Sequence, residues 1–244
     1  MSATTELSWQ DWEDLPNGPQ LLADVDESLA PWWPRIFGYH LLKLGPMSLN
    51  LDLQQCKINH SFSLFPEQRA DVIADFDALP LQSASIDAVV MPLLLEFEHD
   101  PYRILREVDR VLVSGGYLVI CGINPFSSAY LGKLFPKSQS NWPWNGRFFM
   151  PARVLDWLGL LGYQLVHDER IGFHAFMPQW DYPQLCRQWQ QKILPRTGAL
   201  YVMVARKLDS PLTPLPQKKK KTVTGWQPAP SGGFSGRNLK DSEK

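Results

Sequence analysis

Cysteine is scarce in this chain of 244 residues. The three present, Cys56, Cys121 and Cys186, lie far apart, and none forms a C-x-x-C pair. Such a set excludes a disulfide framework and a cysteine-based zinc site, and it points to a reducing, cytoplasmic setting. The five histidines show no metal-ligand spacing either. Long apolar runs are missing too. The run 89–95 falls far short of the roughly 20 residues that a membrane-spanning helix needs. The start, MSATTELSWQDWEDLP, has neither the basic nor the apolar region of a secretory signal. An excess of charge is also absent, since the net charge is −1. Its distribution is uneven, however. From Leu208 onward seven basic residues face three acidic ones, which gives the tail +4 and leaves −5 for the rest.

Strand and helix periods fill most of the chain. Leu21, Leu22, Val25 and Leu29 recur at helical spacing before Pro31 and Pro34. Residues 39–44 read as a short strand entering a turn at Gly45, and the partial alternation over 49–65 predicts further strands. ADVIADF predicts a strand over 70–75, and IDAVVM predicts a buried one over 86–91. Asp100 and Pro101 open a helix whose apolar face holds Ile104, Leu105, Val108, Val111 and Leu112, with Gly115-Gly116 as its stop. A strand over 117–122 follows. Strand, helix, strand is the crossover unit of a parallel sheet. ARVLDWLGLLGYQL reads as another amphipathic helix, and VHDERIGF and ALYVMVARK as late strands. The fold class is α/β: a Rossmann-like, doubly wound, mostly parallel sheet. Three segments follow: a helical lead over 1–36, the sheet domain over 37–207, and a disordered basic tail over 208–244.

The stretch ADFDALPLQSASIDAVVMPLLLEFEHDPYRILREVDRVLVSGGYLVI carries a D-x-x-x-LP-L loop, an S-x-D-AVV strand and a DP…L-RE-x-x-RVL…GG-x-LVI helix and strand. It resembles the class I S-adenosylmethionine-dependent methyltransferases, and within them the type 11 small-molecule group that includes quinone-biosynthesis C-methyltransferases. The longer outline, with HLLKLG entering and GINPFS leaving, is similar to an uncharacterised bacterial branch. The resemblance covers roughly residues 37–124. It implies seven strands with a final antiparallel hairpin, S-adenosylmethionine across the carboxyl ends of the first strands, and a small-molecule methyl acceptor. It also implies cofactor-binding roles for Gly45 in the loop after the first strand, Asp75 toward the adenine amino group, the Phe76 backbone along the adenine ring, and Met91 near the methyl-transfer region. Asp77 takes the place of Asp75 if the register slips by two.

The sequence departs from the family pattern in two ways. The loop keeps one glycine of the usual three, and Gly45 and Asp75 stand too close to hold two full helices and a strand. The first helix, the second or both are therefore shortened or lost, and Glu67 is not assigned to the ribose. Gly45 reads either as a cofactor turn or as an ordinary strand-ending glycine, and Asp75 either as an adenine ligand or as a solvated carboxylate. An alternative of another class is a catalytically inactive methyltransferase fold that serves as a binding or scaffold module. Asn124-Pro125-Phe126 reads as a turn. His40 and His99 read as structural rather than as bases. The aromatic stretch 126–149 reads as a cover for an apolar substrate. Lys218–Lys221 offer at most a weak contact with nucleic acid or anionic lipid. No catalytic residue is named, because a sulfonium is already electrophilic and positioning supplies much of the rate.

Overall fold

The structure is a computed structural model, and it describes residues 11–127, 144–172 and 198–208. Among these residues six strands form one sheet: β1 (His40–Leu44), β2 (His60–Leu64), β3 (Ile86–Pro92), β4 (Leu112–Ile123), β5 (Tyr163–Ile171) and β6 (Leu200–Lys207). Their order across the sheet is β2-β1-β3-β4-β6-β5. The pairs β1–β2, β1–β3 and β3–β4 are parallel, while β6 runs antiparallel to both β4 and β5. Val89, Val90 and Met91 expose almost nothing, as expected for a parallel strand covered on both faces.

The covering layers differ. On one face α2 (Pro101–Val111) and α3 (Pro151–Leu160) pack over Leu42, Val89, Met91, Leu118, Ile120 and Met203. Asp100 caps α2 by accepting the Arg103 N–H at 3.1 Å, and Pro101 occupies the first turn, where no N–H is needed. On the other face α1 (Gly18–Leu29) brings Leu21, Val25 and Leu29, with Trp12 and Trp33, into one core with Leu41, Ala88, Val90, Val119 and Val202. The edge of α1 is tied to β5. The Ser28 hydroxyl donates to Glu169 Oε2 at 2.6 Å and lies 3.2 Å from His167 Nε2.

Three expectations are corrected. The strand over 70–75 is reduced to a single bridge between Val72 and Leu64. Its ladder is displaced by the Asp71 side chain, which accepts both the backbone N–H and the hydroxyl of Ser63 at 2.8 Å. Ile73 is left 62% exposed. The described sheet thus has six strands where the resemblance implied seven. Of the strands expected over 49–65 only His60–Leu64 forms, and residues 46–50 are a short 3-10 helix, so β1 and β2 are joined without an α-helix. The helix 101–111 stops four residues before Gly115. Gly115 and Gly116 lie inside β4, where a Cβ on Gly116 would meet the Asp87 carbonyl and the Val113 carbonyl at 2.9 Å. The shortened helices between Gly45 and Asp75 are borne out. The basic tail beyond Leu208, with Lys218–Lys221, lies outside the described residues, as does most of the aromatic stretch 126–149.

Candidate active site

Ligands of an open α/β sheet bind outside the carboxyl ends of its strands. That edge gathers Gly45 after β1, Phe65 after β2, the segment 93–98 after β3 and Asn124 after β4. Gly45 is buried, with φ +82° and ψ 157°. This corner of backbone space is essentially reserved for glycine. Its N–H donates to the Leu64 carbonyl at 3.2 Å, and its own carbonyl accepts from the backbone and the hydroxyl of Ser48. The turn is therefore closed on itself. A Cβ on Gly45 would meet only Leu94, at 3.4 Å, so the conformation rather than crowding demands the glycine. Leu93, two residues past Met91, also sits at positive φ, +49°, a strained value for a branched side chain.

Asp75 is exposed at the same edge, and Phe76 is buried with its ring in the core. Met91 is fully buried within the sheet core and presents no side-chain surface to a ligand. Gly45 and Asp75 thus reach one edge, while the Met91 side chain faces inward. His40, weighed as a base, sits at the opposite, amino-terminal edge, with its Nδ1 3.0 Å from that of His60. Asn124 forms a turn. Its side chain donates to the Gly198 carbonyl and accepts from the Phe126 N–H.

Two carboxyl groups join this edge that sequence reasoning missed. Glu98 is mostly buried, and burial together with the charges of Asp77 and Asp75 pushes its pKa up to about 7. Its Oε1 has no hydrogen-bond partner. Arg103 pairs with Asp77 at 3.3 Å. Glu96 is 1% exposed, and burial pushes its carboxyl up to about 7, against the opposing pull of the Ile123 N–H and the Tyr201 hydroxyl. Oε1 accepts from Ile123 at 2.9 Å. Neither Oε2 nor the Tyr201 oxygen makes an aligned hydrogen bond. The two groups share a space kept open by Gly122, whose Cβ would stand 2.2 Å from the Tyr201 oxygen and 2.4 Å from Glu96 Oε1. A glutamate inside the apolar run PLLLEF was the available signal, since lone buried carboxyls are rare.

The comparisons with known proteins fit this geometry. A family described as a methyltransferase domain matches residues 41–120, the span from β1 to the middle of β4. The chain belongs to the class I methyltransferase family. It is 36% identical over 211 residues to YafS, an uncharacterised protein of Escherichia coli strain K12, covering 86% of this chain and 85% of that one. Among solved structures it is similar to an S-adenosylmethionine-dependent methyltransferase of Thermotoga maritima described as a possible histamine N-methyltransferase. The TM-score is 0.57 and the identity 19%, over 76% of this chain and 89% of that chain. A methyltransferase of Mesorhizobium loti gives a TM-score of 0.53 at 18% identity, over 80% and 100% of the two chains. At these identities the structural likeness speaks for the fold.

The family implies S-adenosylmethionine as cofactor. The residues here suit its charge and donors. The orphaned Glu98 Oε1 and the neighbouring Asp75 and Asp77 form an acidic edge beside a glycine-only turn. A cofactor carrying a sulfonium, an ammonium group and an adenine amino group complements such an edge. No described helix is long and apolar enough to cross a membrane.

Proposed function

We propose that this chain binds S-adenosylmethionine across the carboxyl ends of β1 and β3 and methylates a small molecule. The observation that carries this reading is Gly45, held in a glycine-only conformation where the first strand meets the expected cofactor loop. Asp75 is the group for the adenine amino donor, with Asp77 held back by its pair with Arg103. The Phe76 backbone runs along the same edge. S-adenosylmethionine, when bound, supplies an electrophilic methyl group. The protein's own contributions are to orient the two reactants and to exclude water. Near the carboxyl ends of β3 and β4, the Glu96 carboxyl is a site that can hold a proton near neutral pH. A bacterial, cytoplasmic setting is part of this reading. Free Cys56 and Cys121 and the Escherichia coli relative support it.

Calorimetric titration with S-adenosylmethionine and S-adenosylhomocysteine tests the proposal. Asp75→Asn should weaken binding by about 1.5–3 kcal/mol, the range for a hydrogen bond to a charged group. Asp156→Asn, exposed on α3, should leave it unchanged. No binding at millimolar cofactor by the folded protein would favour a scaffold role instead.

A further inference from the structure

The turn after Gly45 raises a mechanical question. In a βαβ unit the helix that follows such a turn continues its hydrogen bonds and holds it in place. Here the turn runs into five residues of 3-10 helix, Pro46–Asn50, and no α-helix follows before β2. Something else must hold the connection. Two groups from the N-terminal segment do so, one near each end. The indole Nε1 of Trp12 donates to the Met47 carbonyl at 2.8 Å, across 35 residues of chain. Asp26 Oδ1, on α1, accepts the Asp52 N–H at 3.0 Å.

Trp12 is itself fixed. It is 1% exposed and lies in the core formed by α1 and one face of the sheet. It opens a short 3-10 turn, Trp12–Asp14, bounded by reciprocal bonds between Asp11 and Asp14. Met47, whose carbonyl it holds, belongs to the same core. A second indole supplies an internal contrast. Trp33 is equally buried in that cluster, yet its Nε1 has no hydrogen-bond partner. Packing alone therefore does not require an indole nitrogen to reach the turn. Trp12 reaches it because of where residues 11–15 lie.

We infer that the N-terminal segment is a working part of the cofactor site, with Trp12 as a positioning residue that fixes the 45–50 turn in place of the absent helix. The inference rests on the reading that this turn carries S-adenosylmethionine. It also means that the functional unit extends N-terminally beyond the matched methyltransferase domain of residues 41–120.

The full chain carrying Trp12→Phe, Trp33→Phe or Asp26→Ala should be compared with the unmodified protein in two measurements. One is amide hydrogen exchange over residues 45–52. The other is titration with S-adenosylhomocysteine well below the melting temperature. Trp12→Phe should speed exchange at 46–50 and weaken binding about threefold to tenfold, the range of one net hydrogen bond. Trp33→Phe removes an indole of the same size and should do neither. Asp26→Ala, at a half-buried site, should weaken binding about twofold and keeps the test decisive if Trp12→Phe fails to fold. A purely structural role would lower the melting temperature in both tryptophan variants alike and leave the affinity of the folded molecules unchanged, which would overturn the inference. Unchanged exchange over 46–50 in Trp12→Phe would overturn it as well. Failure of the functional reading is told apart by the unmodified protein alone, through its own lack of binding.

Discussion

The two halves of the sheet are held by different means. From β3 to β6 the strands are longer, seven to twelve residues each, and a helix with a full apolar face, α2, covers them. From β1 to the bridge at Val72 the strands have five residues each, and no α-helix joins them. There the work of helices falls to single side chains: Trp12 on Met47, Asp26 on Asp52, and Asp71 on Ser63. Hydrophobic burial is cumulative and tolerant, whereas one hydrogen bond is worth about 1 kcal/mol and depends on geometry. The half proposed to meet the cofactor is thus the less redundant one. Its worn glycine loop does not by itself show decay, since its support has moved to other residues.

This contrast can be broken in order of expected effect. Leu105→Ala, on the buried face of α2, should cost about 2–5 kcal/mol of global stability by denaturant unfolding. It should leave cofactor affinity per folded molecule unchanged. Gly45→Val should cost about 1–3 kcal/mol through its forbidden backbone angles and abolish binding by calorimetry. If it binds normally, the turn is not part of the site.

Glu96→Gln sharpens the comparison from the other side. The carboxyl sits near 7 in the fold against an ordinary 4.5, so the native state retains a proton that the unfolded chain loses. Stability is therefore unaffected below about pH 4.5, falls as pH rises toward 7, and stays lower above it. Glutamine removes that penalty while keeping an acceptor for Ile123. At pH 8 the variant should be more stable by about 3 kcal/mol, with the difference vanishing at pH 4. A loss of stability at pH 8 would mean that the ionised carboxylate is itself required.

The smallest effect is expected of Asp71→Ala. Its bonds to Ser63 lower the carboxyl's pKa, so its contribution is present at neutral pH and is lost as pH falls through that lowered value. The group is exposed, and solvent screening limits its worth to about 1 kcal/mol. The change should appear as faster local exchange at β2 with little shift of the global transition.

What could be read in the sequence follows the same division. The helix 101–111 and its flanking strands were legible because Ile104, Leu105, Val108 and Val111 repeat at helical spacing between two apolar runs. The missing helices were legible as arithmetic, from too few residues between Gly45 and Asp75. The strand over 70–75 was misread because ADVIADF has the right alternation, and nothing local reveals that Asp71 will take the Ser63 N–H. Gly115-Gly116 looked like a helix stop, yet Leu112 already pairs with Ile86. Glu96, Gly122 and Tyr201 escaped notice as a group because the β4–β6 pairing sets Gly122 beside Tyr201 and Glu96 reaches them from the segment after β3.

That last arrangement constrains how the protein can change. A methyl group at position 122 would fall 2.2 Å from the Tyr201 oxygen and 2.3 Å from the ring carbon that bears it. Removing the hydroxyl alone would not make room. Position 122 can therefore accept a side chain only after Tyr201 has become a smaller residue and Glu96 has been shortened, and each of those steps first leaves a cavity or an orphaned partner. In a mutational walk the three positions form a lock that opens only in order. A library randomised at 122 alone should return glycine, and one randomised at 96, 122 and 201 together should return coordinated solutions.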